Sequence, residues 1–488
     1  MDAMPPLVLT REIWALAWPA ILRNAAGCAA DRLTLAFVGH YDASTVHYDG
    51  AGLGKMFSNV TGLSIGYGLN LGLATFCSQS FGAGRAEAEN WIHIRRSAVV
   101  LSVALLFAGV AAAFCEPVLV ALGQPPDVAA ASASYAQVQA IGLPFYFAAS
   151  SIQTVLDGLQ RTRPGMHASL AANFLQLGLT ALLMHPAALN TGYLGMAWAR
   201  SAGGVFQLLI LIAIVRRERL QTSVWTKPAG AAVGNAAVLS CGAIRVFLRV
   251  ALPGALTMWM EWWAFEGLSV LCGLLPNATV LLAAHGTLFN VLVVTYMAFV
   301  GLSTALSVAV GKHIGADDSA AVPWLCVSAV AIAAVFVAAT CAGLSLSAEL
   351  VGEMFSADAD VVAAVAANMP GAVLSVPGYA LLMTLYGAIR GGDVNQRLAT
   401  LGTAIGYGVG LPLAWLLGVR LHWPRPLLGV WMGNVTALTI AAGWITVIVV
   451  CKDWKSVRRA DAIAVDSRRE SLLDAASINR ASRGVADV

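Results

Sequence analysis

The chain has 488 residues, 58% of them hydrophobic and 11% charged, with a mean hydropathy of +0.74 and a net charge of +3. That composition excludes an ordinary water-soluble domain and makes lipid the solvent for most of the chain. The near-balanced charge gives no reason to expect a nucleic-acid partner.

A helix needs about 20 apolar residues to cross the hydrocarbon core. Such runs recur about twelve times, at 13–39, 52–76, 97–120, 132–156, 167–189, 193–215, 250–273, 282–310, 322–348, 363–388, 398–418 and 427–451. The fold class expected is an all-α polytopic membrane protein. The first run is long and follows a short polar start, so it reads as a signal anchor rather than a cleaved signal. Positive residues are divided unequally between the two sides of the membrane. Arg85, Arg95 and Arg96 follow the second span, Arg161 and Arg163 the fourth, and Arg216, Arg217, Arg219, Lys227, Arg245 and Arg249 the sixth. Lys312, Arg390, Arg397, Lys452, Lys455, Arg458 and Arg459 continue on that side, whereas the opposite loops are expected to hold only Lys55, Arg420 and Arg425. Both termini are therefore expected in the cytoplasm.

Along the chain, the first span carries Arg23, Asp31 and Arg32, unusual company for a membrane helix. Asp31 and Arg200 of the sixth span lie at similar depths from the same membrane face, so an ion pair is expected there, with a proton or cation site as the alternative. In the seventh span, Met258 to Glu266 reads Met-Trp-Met-Glu-Trp-Trp-Ala-Phe-Glu, two carboxylates among aromatics. Low-dielectric surroundings favour the neutral carboxyl, which suits a group that takes up and releases protons. Glu261 and Glu266 lie about 140° apart on the helix, so they flank a cavity and do not form a dyad. His185 and His285 lie near span ends, read as interfacial, and have no partners at zinc-ligand spacing. Asn277-Ala278-Thr279 has the glycosylation pattern in a short outward loop. The eight cysteines have no CxxC or paired spacing and read as buried thiols. A membrane enzyme would need a His-centred or metal cluster, and none is visible in the sequence, so no catalytic residue and no metal or organic cofactor is expected.

The chain is written twice. Leu16 to Leu22 is echoed by Val250 to Leu256, with Pro19 and Pro253 aligned 234 residues apart. Gly68 to Ala83 is echoed by Gly301 to Ala316, Leu159-Gln160-Arg161 by Ile389-Arg390-Gly391, and Leu194-Gly195-Met196 by Leu428-Gly429-Val430, at nearly constant offset. An even number of spans per unit predicts two six-helix bundles related by a pseudo-twofold axis along the membrane normal, with a cavity between them. The expected parts are an N-terminal lobe at 1–215, a cytoplasmic linker at 216–248, a C-terminal lobe at 249–451 and a disordered cytoplasmic tail at 452–488. Pro19 and Pro253 can bend or hinge the first helix of each half.

Glu261-Trp262-Trp263-Ala264-Phe265-Glu266 resembles the signature of eukaryotic members of the multidrug and toxic compound extrusion (MATE) family. Pro19 with Gly39-His40, Gly72 through Gly84, Gly301 through Ala316, Arg390-Gly391-Gly392 with Gln396, and Gly410-Leu411-Pro412 resemble further family landmarks, in order, across about residues 10–450. The resemblance implies twelve helices in two bundles, alternating access, and efflux driven by an ion gradient, protons rather than sodium. It also implies that Glu261 is the essential cavity carboxylate and Glu266 its companion. Asp31 is the corresponding candidate in the N-terminal lobe. The sequence departs from the family pattern where an acid of the tenth span is replaced by Tyr379, a carboxylate of the eighth by Asn290, and an Arg and Asn of the eighth-span motif by Ala309 and Lys312.

The reading is a proton-coupled antiporter of organic cations or amphipathic molecules, working as a monomer among membrane lipids. Trp259, Trp262, Trp263 and Tyr296, with Asn290 and Tyr379, are candidate cavity-wall residues. A lipid flippase or an organic-anion exporter of the same fold is the alternative. A major facilitator carrier is disfavoured, because Phe81 to Glu87 does not give that class's basic loop. No sorting signal separates a plasma membrane from a vacuolar or lysosomal one.

Overall fold

The computed structural model describes residues 6–42, 44–228, 235–421 and 423–460. Twelve long helices account for most of them: α1 (Pro6–Tyr41), α2 (Thr45–Gly82), α3 (Ala86–Ala113), α4 (Pro126–Gly158), α5 (Thr162–Met184), α6 (Leu194–Arg217), α7 (Cys241–Cys272), α8 (Ala278–Gly315), α9 (Val322–Leu346), α10 (Ala359–Gly392), α11 (Gln396–Arg420) and α12 (Pro426–Val450). There is no strand among the described residues. By length and composition 10 helices qualify as membrane spans, and α1 and α4 are the two of the twelve that do not. Their polar residues meet each other: Arg23 Nη1 of α1 lies 3.0 and 3.3 Å from the two oxygens of Asp157 of α4, both side chains buried. Paired in this way, the two charges are tolerable at membrane depth.

Helix packing repeats with the sequence. Within the lobes α4 on α6 is matched by α10 on α12, α5 on α6 by α11 on α12, and α1 on α5 by α7 on α11. Between the lobes α1 packs on α8, and its counterpart α7 packs on α2. Leu9, Ile13, Leu16 and Ala17 of α1 are buried in the core of the C-terminal lobe, while Phe247, Val250, Ala251 and Ala255 of α7 are buried in that of the N-terminal lobe. Each half thus lends the start of its first helix to the other.

Small residues make this exchange fit. A Cβ on Gly82 would collide with the Lys312 carbonyl, and one on Gly315, its counterpart, with the Gln79 carbonyl. Likewise a Cβ on Gly68 would stand 2.5 Å from Ala255 Cα, and one on Gly301 2.6 Å from Ile21 N. Backbones approach this closely only where side chains are absent. Cross-lobe hydrogen bonds gather in the same half of the molecule, which carries the basic loops: Thr75 Oγ1 donates to Arg390 O at 2.9 Å and Gln79 Nε2 to Gly391 O at 3.0 Å. A clasp of Lys312 Nζ on Glu12 at 2.9 Å, and of His313 between Glu12 (3.3 Å) and Asp318 (2.9 Å), spans the lobes there.

The structure departs from three expectations. Lys55 is not in a loop: α2 begins at Thr45, and Lys55 is buried inside it. The seventh helix starts at Cys241, capped by the Ser240 hydroxyl, so part of the expected linker is helical and packed. The tail is ordered at its start: Trp454 is buried, Arg459 pairs with Glu89 of the N-terminal lobe, and Ala460 N donates to Gln79 Oε1 at 2.8 Å, so 452–460 ties the lobes together; 461–488 lies outside the described residues.

Gly82→Ala should lower the melting temperature by about 5 °C or more, whereas Gly109→Ala, which meets nothing, should leave or raise it; scanning fluorimetry of the two variants checks this. Asp393, between α10 and α11, has its carboxyl pushed up to about 6 from 3.8 by burial, against the opposing pull of Gln396 and Arg249. Its folded state binds the proton more tightly, so its stabilising contribution is full below 3.8 and lost as pH rises through 6. Asp393→Asn, compatible with its left-handed backbone (φ 51°), should flatten thermal stability across that window and raise it at neutral pH.

Candidate transport site

Away from the basic loops, polar and aromatic side chains of the two lobes approach one another. On the C-terminal side, α7 carries Glu261, 6% exposed, with the Tyr379 hydroxyl of α10 beside its carboxyl. Tyr379 stacks on Tyr296 of α8 with ring centroids 3.8 Å apart, and Phe265 packs on both. The Tyr296 hydroxyl lies 2.6 Å from Ser375 Oγ, which donates to Ala372 O at 2.6 Å, so the tyrosine is the donor to the serine. Arg390, within electrostatic reach of Glu261, donates instead to Ser303 Oγ at 2.6 Å and lies over the Tyr386 ring. Glu261 therefore has a hydroxyl against it and a cation at a distance, an arrangement that accommodates a neutral carboxyl and a charged one.

Glu266 is half-buried further along α7 and faces Arg32 of α1, within electrostatic reach across the gap. Five residues of helix separate the two carboxylates, which puts one in the lobe and the other at its margin. Trp259 bridges the lobes at mid-height, its Nε1 donating to Val60 O at 3.2 Å, and meets Trp263 edge-on at 6.2 Å. Trp262 and Asn290 are half-buried, and Trp263 is exposed.

Tyr296 and Tyr379 do not line open space. At 2% and 3% exposure they form the layer behind Glu261 that holds its carboxyl, since flat rings stack into a lobe core more favourably than they hydrate. His285 is not interfacial either. It is buried on α8 against Phe289 and Trp431, with Nε2 3.2 Å from Ser269 Oγ. His185 does cap the end of α5, where its ring meets Tyr41.

In the N-terminal lobe the structure brings Asp31 and Arg200 together, with Nη2 3.3 Å from Oδ2. Lys55, missed as a partner because the apolar run of α2 begins close to it, completes the group: its Nζ donates to Asp31 O at 2.9 Å and lies 3.8 Å from Oδ2. Arg200 Nη2 also reaches Asn59 Oδ1 at 3.4 Å, and Tyr146 donates to the Arg200 carbonyl at 2.8 Å. Among the described residues no group of three metal-ligating side chains occurs, and no disulfide joins any two cysteines.

Removing one partner of such a cluster leaves buried charges uncompensated, at a cost of about 3–5 kcal/mol. Asp31→Asn should therefore reduce the yield of monodisperse protein on size-exclusion chromatography, with Asp31→Glu restoring part of it. Normal yield of Asp31→Asn with transport abolished would instead make Asp31 an ion or substrate site.

Comparison with known proteins places this geometry in a family. The MatE family model matches the chain twice, at residues 19–182 and 253–416, in register with the internal repeat. The chain is 28% identical over 448 residues to multidrug and toxin extrusion protein 1 of Homo sapiens, covering 91% of this chain and 75% of the relative. It is 25% identical over 457 residues to Protein DETOXIFICATION 52 of Arabidopsis thaliana, covering 91% and 85%. Among solved structures, the eukaryotic MATE transporter AtDTX14 superposes with a TM-score of 0.81 at 22% identity, covering 94% of this chain and 98% of that one. A mutant of the Vibrio cholerae MATE transporter VcmN superposes at 0.79 with 17% identity, covering 92% and 99%. The neighbours share the twelve-helix, two-bundle architecture. With both halves matched and the repeat in register, this chain belongs to the MatE family of multi-pass membrane transporters.

Proposed function

We propose that the protein is a proton-coupled antiporter that exports small organic cations or amphipathic molecules by alternating access. The observation that carries this reading is Glu261, a carboxyl buried in a membrane-spanning helix of the C-terminal lobe, with the Tyr379 hydroxyl as its neighbour. A buried carboxyl without a cation in contact exchanges protons at modest cost, and its charge state alters the affinity of the adjacent space for a cation. The company of tyrosine and aromatic rings suits a proton better than a sodium ion, which takes a cage of oxygens.

The positive-inside rule makes the basic face cytoplasmic. With the lobes joined along that face by the glycine seam and the Glu12 clasp, we read the conformation as closed to the cytoplasm. In this state protonation of Glu261 releases a bound cation to the outside. Return of the carrier and loss of the proton inward restore affinity on the cytoplasmic side, so export follows the proton gradient. Trp259, Trp263 and Glu266 supply aromatic faces and a second negative charge for an organic cation. The plasma membrane and an acidic vacuolar or lysosomal membrane both provide a gradient of the required sign.

The test uses vesicles containing purified protein, an imposed proton gradient and a fluorescent organic cation. Wild type should move the cation only while the gradient lasts, and Glu261→Gln at matched incorporation should reduce that movement by at least about tenfold. Gradient-driven movement at the wild-type rate in Glu261→Gln would place the coupling elsewhere. Movement of a labelled lipid in place of the cation would favour a flippase.

A further inference from the structure

The N-terminal lobe holds more positive charge than its own carboxylate balances. Lys55 of α2, Arg200 of α6 and Arg32 of α1 all act on Asp31, three cations on one anion. Lys55 and Arg200 are each 6% exposed, so water does not solvate the surplus cheaply. Glu266 offsets Arg32 from across the gap, yet the count on these facing walls still favours cations by one. Glu261 has its own cation in reach, Arg390, and adds no spare negative charge.

Donor geometry adds an independent observation. Arg200 spends Nη2 on Asp31 and Asn59, while its buried Nη1 makes no well-formed hydrogen bond, the nearby Tyr135 hydroxyl being unpaired as well. The same holds for Nε of Arg32. These two N–H donors and the Lys55 ammonium lie about a carboxylate that is itself 28% exposed, so the group is accessible rather than sealed in the bundle. A closed structural ion pair needs neither extra cations nor unspent donors; a docking place for an oxyanion needs both.

We propose that Lys55, Arg200 and Arg32 form a binding site for an anionic oxygen group of the transported molecule, a carboxylate or sulfate borne on an organic body. The inference rests on the export reading for the word transported, and it narrows the substrate class: the molecule carries an acidic group into the N-terminal lobe while its apolar or cationic part lies toward Trp259 and Glu266. Guanidinium donors suit such a group because they present paired N–H bonds to its oxygens.

The experiment compares 2-naphthoate with 2-naphthamide, equal in shape and differing in charge, by titrating each into the purified full-length protein and following melting temperature and tryptophan fluorescence. Naphthoate should bind at least about tenfold more tightly than the amide, and Lys55→Gln should erase the difference. Arg32→Gln, at a less buried position, gives the same readout should Lys55→Gln fold poorly, and Arg200→Lys should weaken naphthoate binding without abolishing it. Equal effects of the two compounds, no effect of either, or an unchanged preference in Arg32→Gln would overturn the site. The assay needs no transport: naphthoate binding in a protein that moves nothing would defeat the export reading and leave the site standing, and cation export without naphthoate preference would do the reverse.

Discussion

The start of α1, through Leu9, Ile13, Leu16 and Ala17, is buried in the core of the opposite lobe, and the start of α7 returns the exchange through Phe247, Val250 and Ala251. Lipid tails are as apolar as these side chains, so burial alone does not hold the lobes together; close packing does. The glycines at 68, 82, 301 and 315 provide that closeness, in two pairs related by the internal repeat. Pro19 and Pro253 lie inside the lent segments, with Ile21 and Ala255 beyond them still against the opposite lobe, and each removes a backbone donor from the helix ladder. These prolines give the two exchanged helices prepared places to bend beside the seam.

Charge follows a different rule in each lobe. The N-terminal lobe carries acidic and basic side chains in contact, Arg23 with Asp157 and Asp31 with Lys55 and Arg200, which fixes α1 against α2, α4 and α6. The C-terminal lobe has hydroxyls in the corresponding region: Tyr379, Tyr296 and Ser375 behind Glu261, and Tyr386 donating to Thr257 at 3.0 Å. A hydroxyl serves both a neutral and an ionised carboxyl, where a contacting cation would hold it ionised. The duplicated chain has thus become asymmetric, with one half suited to holding charge and the other to exchanging it.

The architecture was legible because hydropathy runs, loop charge and the repeat offset are properties of many residues at once, and single errors average out. The pair of Asp31 with Arg200 was legible from depth alone. Lys55 was not, since α2 extends to Thr45 through polar residues that blur the start of the hydropathy run, and a lysine there looks like a loop residue. Tyr296 and Tyr379 were assigned to the cavity wall by type, but which side of a helix faces the gap is decided by packing between helices distant in sequence. His285 failed for the same reason: a position near a span end says nothing about whether Trp431 covers it. Lys312, a departure from the family pattern, gains its meaning only once folding brings Glu12 beside it, 300 positions earlier in the chain.

In the proposed cycle the protonation state of Glu261 selects which face of the carrier is open. Electron–electron distance measurements test this directly, with spin labels at Leu189 and Leu274 on the face opposite the basic loops, and at Arg163 and Arg397 on the basic face. Between about pH 6 and about pH 8 the two distances should change in opposite senses in the wild type, and Glu261→Gln should hold both near their acid values. Distances that shift together, or a Glu261→Gln carrier that still answers to pH as the wild type does, would contradict it.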